Sequence, residues 1–120
     1  MEWTFRSDQP IYAQLRKNLS AAIVTGFYKP GERLPSVRDI ALDAGVNPNT
    51  VQRALSELER DGLVFSQRTS GRFVTEDMEK IRRLREEMAK EVICDFLRAM
   101  EKLGIDRKET VALLEKEENE

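Results

Sequence analysis

Four polar residues, Asn49, Thr50, Gln52 and Arg53, follow directly on Asn47-Pro48, and two arginines, Arg68 and Arg72, bracket Thr69-Ser70-Gly71. Amides and a guanidinium at that spacing can donate to and accept from base edges, whereas arginine, serine and glycine on a turn suit phosphate oxygens. Asn is a favoured N-cap and Pro fits the first helical position, so Asn47-Pro48 predicts a helix start. With Val51 turned to a core at 100° per residue, Ala54, Leu55 and Leu58 fall beside it, while Asn49, Arg53, Ser56 and Arg60 fall opposite. Acid gathers only later, at Glu57, Glu59 and Asp61. The N-terminal half of this helix can therefore approach a polyanion, and Asn49, Thr50, Gln52 and Arg53 are the expected base readers. Thr50 fits a second role equally well, as a helix-start residue satisfying backbone donors.

These residues need a scaffold that holds one helix forward and one turn beside it. Ile11, Leu15, Leu19, Ala22 and Ile23 recur at helical spacing, predicting a first helix from near Asp8 or Gln9 to Gly26, with Pro10 in its first turn and Arg16, Lys17 and Asn18 outward. Ser36 can cap a second helix over 36–43, with Asp39 three residues on and Arg38 exposed near its start; a cap and a phosphate contact can coexist at Ser36. Gly45-Val46 then makes the tight turn into the third helix. After Gly62, Leu63-Val64-Phe65 and Arg72-Phe73-Val74 predict a β-hairpin whose tip offers Arg68, Thr69, Ser70, Gly71 and Arg72 to the DNA backbone. Trp3 and Phe5 are expected to pack on the first helix.

From Glu76 the chain turns into a charged helix former with no Gly or Pro before Gly104. Ile81, Leu84, Met88, Val92, Phe96, Met100 and Leu103, broadened by Ile93 and Leu97, make one apolar stripe, and Asp106 caps a further short helix. Two helices of this size do not bury such a stripe alone, which predicts a homodimer seam through Met88, Val92, Ile93, Phe96, Leu97, Met100 and Leu103. The expected fold is mainly α with a small β-hairpin. It is a winged helix-turn-helix over 1–75 followed by a two-helix dimerisation tail over 76–120.

Composition narrows the function. The net charge is -2, yet residues 1–75 hold ten Lys/Arg against eight Asp/Glu, and the excess of acid lies in 76–120. Binding is thus expected to rest on specific contacts more than bulk attraction to phosphate. There is no His, none of the six glycines falls in a phosphate-cradling G-x-x-x-x-G-K or G-x-G-x-x-G pattern, and Cys94 is alone. No catalytic constellation, metal site, cofactor or intrachain disulfide is expected. Neither a membrane-spanning run nor a secretory signal is visible, which implies a cytoplasmic protein.

The stretch from Gly26 to Val74 resembles the GntR family of bacterial transcription regulators. The resemblance rests on Pro30-Gly31-x-x-Leu34-Pro35-Ser36-x-Arg38, Gly45-Val46-Asn47-x-Asn49-Thr50-Val51-x-x-Ala54, Leu58-x-x-x-Gly62 and Gly71-x-Phe73-Val74, and extends upstream through Pro10-Ile11-Tyr12-x-Gln14-Leu15. The short tail is similar to that of the YtrA-like subgroup. The resemblance implies a homodimeric regulator, a repressor, on a pseudo-palindromic double-stranded operator. DNA contacts carry over at Ser36, Arg38, Thr50 and Gly71. Where many members have Arg this chain has Pro48 and Gln52, and Thr69 replaces a wing glycine, so base reading is expected to move to Asn49 and Arg53. A small-molecule effector is left open, with Met88, Phe96 and Met100 as soft linings. The alternative is a winged-helix protein-interaction module without sequence-specific DNA binding, which calls for exposed apolar residues at positions 49, 53, 68 and 72.

Overall fold

The computed structural model describes residues 1–118; Asn119 and Glu120, the end of the segment 76–120, lie outside it. The chain divides into two compact units, Met1–Arg85 and the residues from Glu86 onward.

In the first unit, α1 spans Ile11–Val24, α2 Val37–Ala44 and α3 Pro48–Arg60, followed by β1 (Val64–Gln67) and β2 (Gly71–Val74). α1 begins later than Asp8 or Gln9. Pro10 sits at the cap in extended conformation with ψ 133°, and a residue preceding proline is itself pushed out of the helical region. The groups just upstream are satisfied from inside the helix: the Gln14 side chain accepts from Arg6 N–H at 2.7 Å and donates to the carbonyls of Arg6 at 2.8 Å and Gln9 at 3.0 Å.

Both predicted caps form. Ser36 Oγ accepts from the Asp39 N–H at 3.1 Å, shifting α2 to 37–44 rather than 36–43, and Asn47 Oδ1 accepts from the Asn49 N–H at 2.8 Å. Gly45 takes φ 70°, a left-handed conformation that lets its N–H and that of Val46 both return to the Ala41 carbonyl. That closure makes the turn between α2 and α3 short. α3 then packs against α1, α2 and β1. Leu15, Leu19, Ile40, Val51, Leu55 and Leu58 are buried there with Val64 and Val74 of the hairpin.

The hairpin is antiparallel with Val64 opposite Val74 and Gln67 opposite Gly71. Its strands run on to Gln67 and begin at Gly71, so the turn is confined to residues 68–70, shorter than the apolar runs indicate. A third segment, absent from the sequence reading, lines the edge of β2. Leu34 N–H donates to the Arg72 carbonyl at 2.8 Å, Val74 N–H to Glu32 at 2.9 Å and Gly31 N–H to Val74 at 2.9 Å. Trp3 and Phe5 stack on each other and pack against the core, and Trp3 Nε1 donates to Asp43 of α2 at 2.7 Å.

α4 spans Met78–Lys102 and α5 Arg107–Glu118. The first unit extends to Arg85 rather than to residue 75, because Ile81 is buried in its core and Leu84 packs partly against it. In the second unit the Asp106 carboxylate accepts from the Glu109 N–H at 2.8 Å, capping α5 as expected, and Thr110, buried, donates its hydroxyl to the Asp106 carbonyl at 2.8 Å. Val92, Ile93, Phe96 and Leu103 are exposed, whereas Met88, Leu97 and Met100 are half-buried. Val111, Leu113 and Leu114 add further exposed apolar surface on α5.

Candidate nucleic-acid interface

The outer surface of α3 is bounded on one side by α1 and on the other by the hairpin. Asn49, Gln52, Ser56 and Arg60 are all exposed, and Thr50 is half-buried at the helix start. The Gln52 amide lies 3.4 Å from Ser56 Oγ, one turn on. No acidic residue occupies the first turn, so the positive end of the helix dipole is uncompensated there.

On the α1 side the guanidinium carbon of Arg53 lies 3.4 Å from the centre of the Tyr12 ring. Its Nε faces Glu57 Oε2 at 3.5 Å. The other oxygen of Glu57 accepts from Arg16 Nη1 at 3.1 Å, and Arg16 Nη2 is paired with Asp61. Arg16 thus does not point outward into water as its place on α1 suggested. Arg53 and Glu57 of α3 and Asp61 just after it lie along the edge facing α1, and Arg16 bridges Glu57 and Asp61.

On the hairpin side Glu59 accepts from the Ser66 hydroxyl and pairs with Arg72 Nε at 3.5 Å. Arg72 is consequently half-buried, with 21% of its side chain exposed and its Nε buried without a hydrogen bond. Arg38, in the first turn of α2, and Arg68, at the hairpin turn, are exposed and carry no ion pair among the described residues. Ser70 is half-buried in that turn, and Gly71 adopts φ 99°. A depression between the start of α2 and the hairpin is lined by Arg33, Leu34, Ser36, Gly71 and Arg72. The structure therefore brings Ser36, Gly71 and Arg72 to one place and adds Arg33, which the sequence reading passed over.

All three carboxylates that gather on α3 and just after it are engaged from its flanks, Glu57 and Asp61 by Arg16 and Glu59 by Arg72 and Ser66, and Glu57 is met as well by Arg53 of its own helix. Only the Arg53–Glu57 pair, at i,i+4 on α3, is visible in sequence spacing; the partners Arg16, Ser66 and Arg72 lie on other elements. No group of His, Cys, Asp and Glu among the described residues could hold a metal ion, and no described helix is long and apolar enough to cross a membrane.

Residues 11–74 match the family described as bacterial regulatory proteins, gntR family. Over 109 residues the chain is 38% identical to the HTH-type transcriptional regulator YhcF of Bacillus subtilis strain 168, covering 91% of this chain and 90% of that one. It is 42% identical over 72 residues to the HTH-type transcriptional repressor YtrA of the same organism, covering 60% of this chain and 55% of YtrA. Among solved structures, a GntR family transcriptional regulator from Listeria monocytogenes superposes with a TM-score of 0.85 at 38% identity, covering 93% of this chain and 98% of that one. The DNA-binding domain of AraR in complex with operator ORX1 superposes with a TM-score of 0.58 at 28% identity over 62% of this chain and 96% of that one. With more than half its length matching the family and nearly its whole length matching one regulator, this chain belongs to the GntR family of bacterial transcription regulators, which act by binding DNA operators and are not enzymes.

Proposed function

We propose that this chain is a cytoplasmic repressor that binds a pseudo-palindromic operator as a homodimer. In this reading α3 enters the major groove, with Asn49, Gln52 and Arg53 toward base edges. Thr50 lies at its start. Ser36, Arg38, Arg68, Ser70, Gly71 and Arg72 meet the backbone on either side. The winged unit performs recognition, and the helices of 76–120 hold two copies together through Met88, Val92, Ile93, Phe96, Leu97, Met100 and Leu103.

The observation that carries it is the pattern of charge on α3. A helix with Glu57, Glu59 and Asp61 would repel phosphates if those carboxylates were free, and here each is paired with a cation of a flanking element. The polar groups of the N-terminal half remain exposed. The exposed apolar face on α4 and α5 supports pairing of two copies, since surface of this kind marks an interaction site. A repressor is supported by the likeness to YtrA.

Selection of bound sequences from random DNA tests the proposal. The expected product is an inverted repeat whose half-sites are spaced by about one helical turn. Enrichment of a non-repeating sequence would refute the symmetric arrangement, and no enrichment would favour the protein-docking alternative.

A further inference from the structure

Arg53 and Tyr12 sit on different helices, yet the guanidinium carbon lies only 3.4 Å from the centre of the Tyr12 ring. At that distance the guanidinium has to lie flat on the ring, because an edge-on approach would drive an N–H into the π cloud. A flat stack uses the face of the guanidinium and leaves its in-plane N–H groups free. One in-plane edge is taken, since Nε faces Glu57 Oε2 at 3.5 Å, and Glu57 is itself fixed by Arg16. The opposite edge carries no partner among the described residues, and 59% of the side chain is exposed. That edge, Nη1 and Nη2, is the pair of donors that a bidentate contact with a guanine requires.

We propose that Tyr12 is a specificity-setting positioning residue: its ring holds Arg53 flat against α1 with the Nη edge turned outward, so that α1 takes part in base discrimination. The inference rests on Arg53 being a base reader. An arginine on a bare helix surface loses rotamer freedom when it meets a base, and most of that loss has already occurred here. Tyr12 acts through Arg53 and touches no base itself.

The test uses the full chain and the operator obtained by selection from random DNA. Binding is measured on that operator and on every single-base variant, for the parent, Arg53→Ala, Tyr12→Leu, Tyr12→Phe and Glu57→Gln. Arg53→Ala is expected to erase preference at one position per half-site. Tyr12→Leu is expected to lower discrimination at that same position about three- to tenfold, the freedom of one long side chain, and to leave the other positions unchanged. Tyr12→Phe keeps the ring and should keep the discrimination, and it is the confinement of the Tyr12→Leu loss to the position read by Arg53 that a merely structural role for Tyr12 does not predict. Glu57→Gln, which retains the shape of the partner, should lower discrimination at the same position and gives a second reading if Tyr12→Leu fails to fold. Equal loss on every sequence with Tyr12→Leu, or equal damage from Phe and Leu, overturns the proposal. If Arg53→Ala itself weakens all sequences alike, the reading of Arg53 as a base reader falls, and the role of Tyr12 falls with it.

Discussion

Phe96→Ala should weaken self-association of this chain about a thousandfold. Phe96 is 40% exposed on α4, the rest of the ring being covered within its own chain. A phenylalanine offers roughly 200 Å² to bury, so about 80 Å² remains for a partner to cover. At about 25 cal/mol per Å² that area is worth about 2 kcal/mol per copy. A two-fold seam contains the residue twice, giving about 4 kcal/mol, or three decades in dissociation constant. The share of each copy is lower than the roughly 3–5 kcal/mol cost of deleting one fully buried phenylalanine, because part of the ring is already covered before association. Sedimentation velocity over a concentration series reads the constant directly. Leu42→Ala is the control: Leu42 is more exposed, at 74%, but belongs to the winged unit, and its removal should leave the constant unchanged. An unaltered dimer with Phe96→Ala, or a dimer weakened by Leu42→Ala, would refute the seam.

Arg38→Ala is expected to weaken binding to all sequences alike and to reduce the salt slope by about 0.9 per protomer, about 1.8 for a dimer on its operator, so that the loss shrinks about twelvefold between 50 and 200 mM salt; titrations at several salt concentrations check it. Ser36→Ala removes the acceptor for the Asp39 N–H and should cost about 1 kcal/mol in urea unfolding, while Ser36→Asp should restore it. Tyr28 has its phenol pushed above the ordinary value of 10.0, first by burial and then by Asp43 and Glu32. The unfolded chain therefore loses this proton first, and the associated stability, intact below pH 10, disappears as the pH rises through the folded value. In urea melts across that range, Tyr28→Phe should gain on the parent as the pH climbs above 10, and parallel curves would refute the assignment.

The local features of the fold were legible because their causes are local. Ser36 and Asn47 cap helices by reaching two or three residues along the chain, and the apolar periodicity of α3 names the same residues that are buried, as does that of α1 except at Ile11, which is exposed in the first turn, and at Ser20, a buried polar residue. What escaped the sequence depends on neighbours. Periodicity assigns Arg16 to a polar face but cannot say that Glu57 and Asp61 stand opposite it. The segment Gly31–Leu34 pairs with β2 through backbone groups alone, which leave no side-chain signature. The strands of the hairpin pass beyond the core, so Ser66 and Gln67 are polar within β1, and an apolar run marks only its buried end. Composition groups the start of α4 with the helical tail, whereas Ile81 is buried in the winged core. For the site, residue types identified the exposed donors, but the roles of Tyr12, Glu57 and Glu59 exist only once three elements are packed together.

Pairing of the carboxylates also bears on how a chain of net charge -2 approaches DNA. Arg16, Arg53 and Arg72 are partly neutralised by Glu57, Glu59 and Asp61, so they add little long-range attraction. At the interface, unscreened attraction then comes from Arg33, Arg38, Arg68 and the free N-terminal end of α3, where no acid stands. Such an arrangement makes non-specific binding weak and strongly dependent on a few cations. A paired arginine still has N–H groups to donate at short range, and on contact with a base it acts as a shaped donor more than as a charge. Loss of Arg53 should therefore shift base preference with little change in salt slope, and loss of Arg38 should do the reverse. An Arg53→Ala variant that flattened the salt dependence as much as Arg38→Ala would mean that the Glu57 pairing opens on DNA and frees the charge.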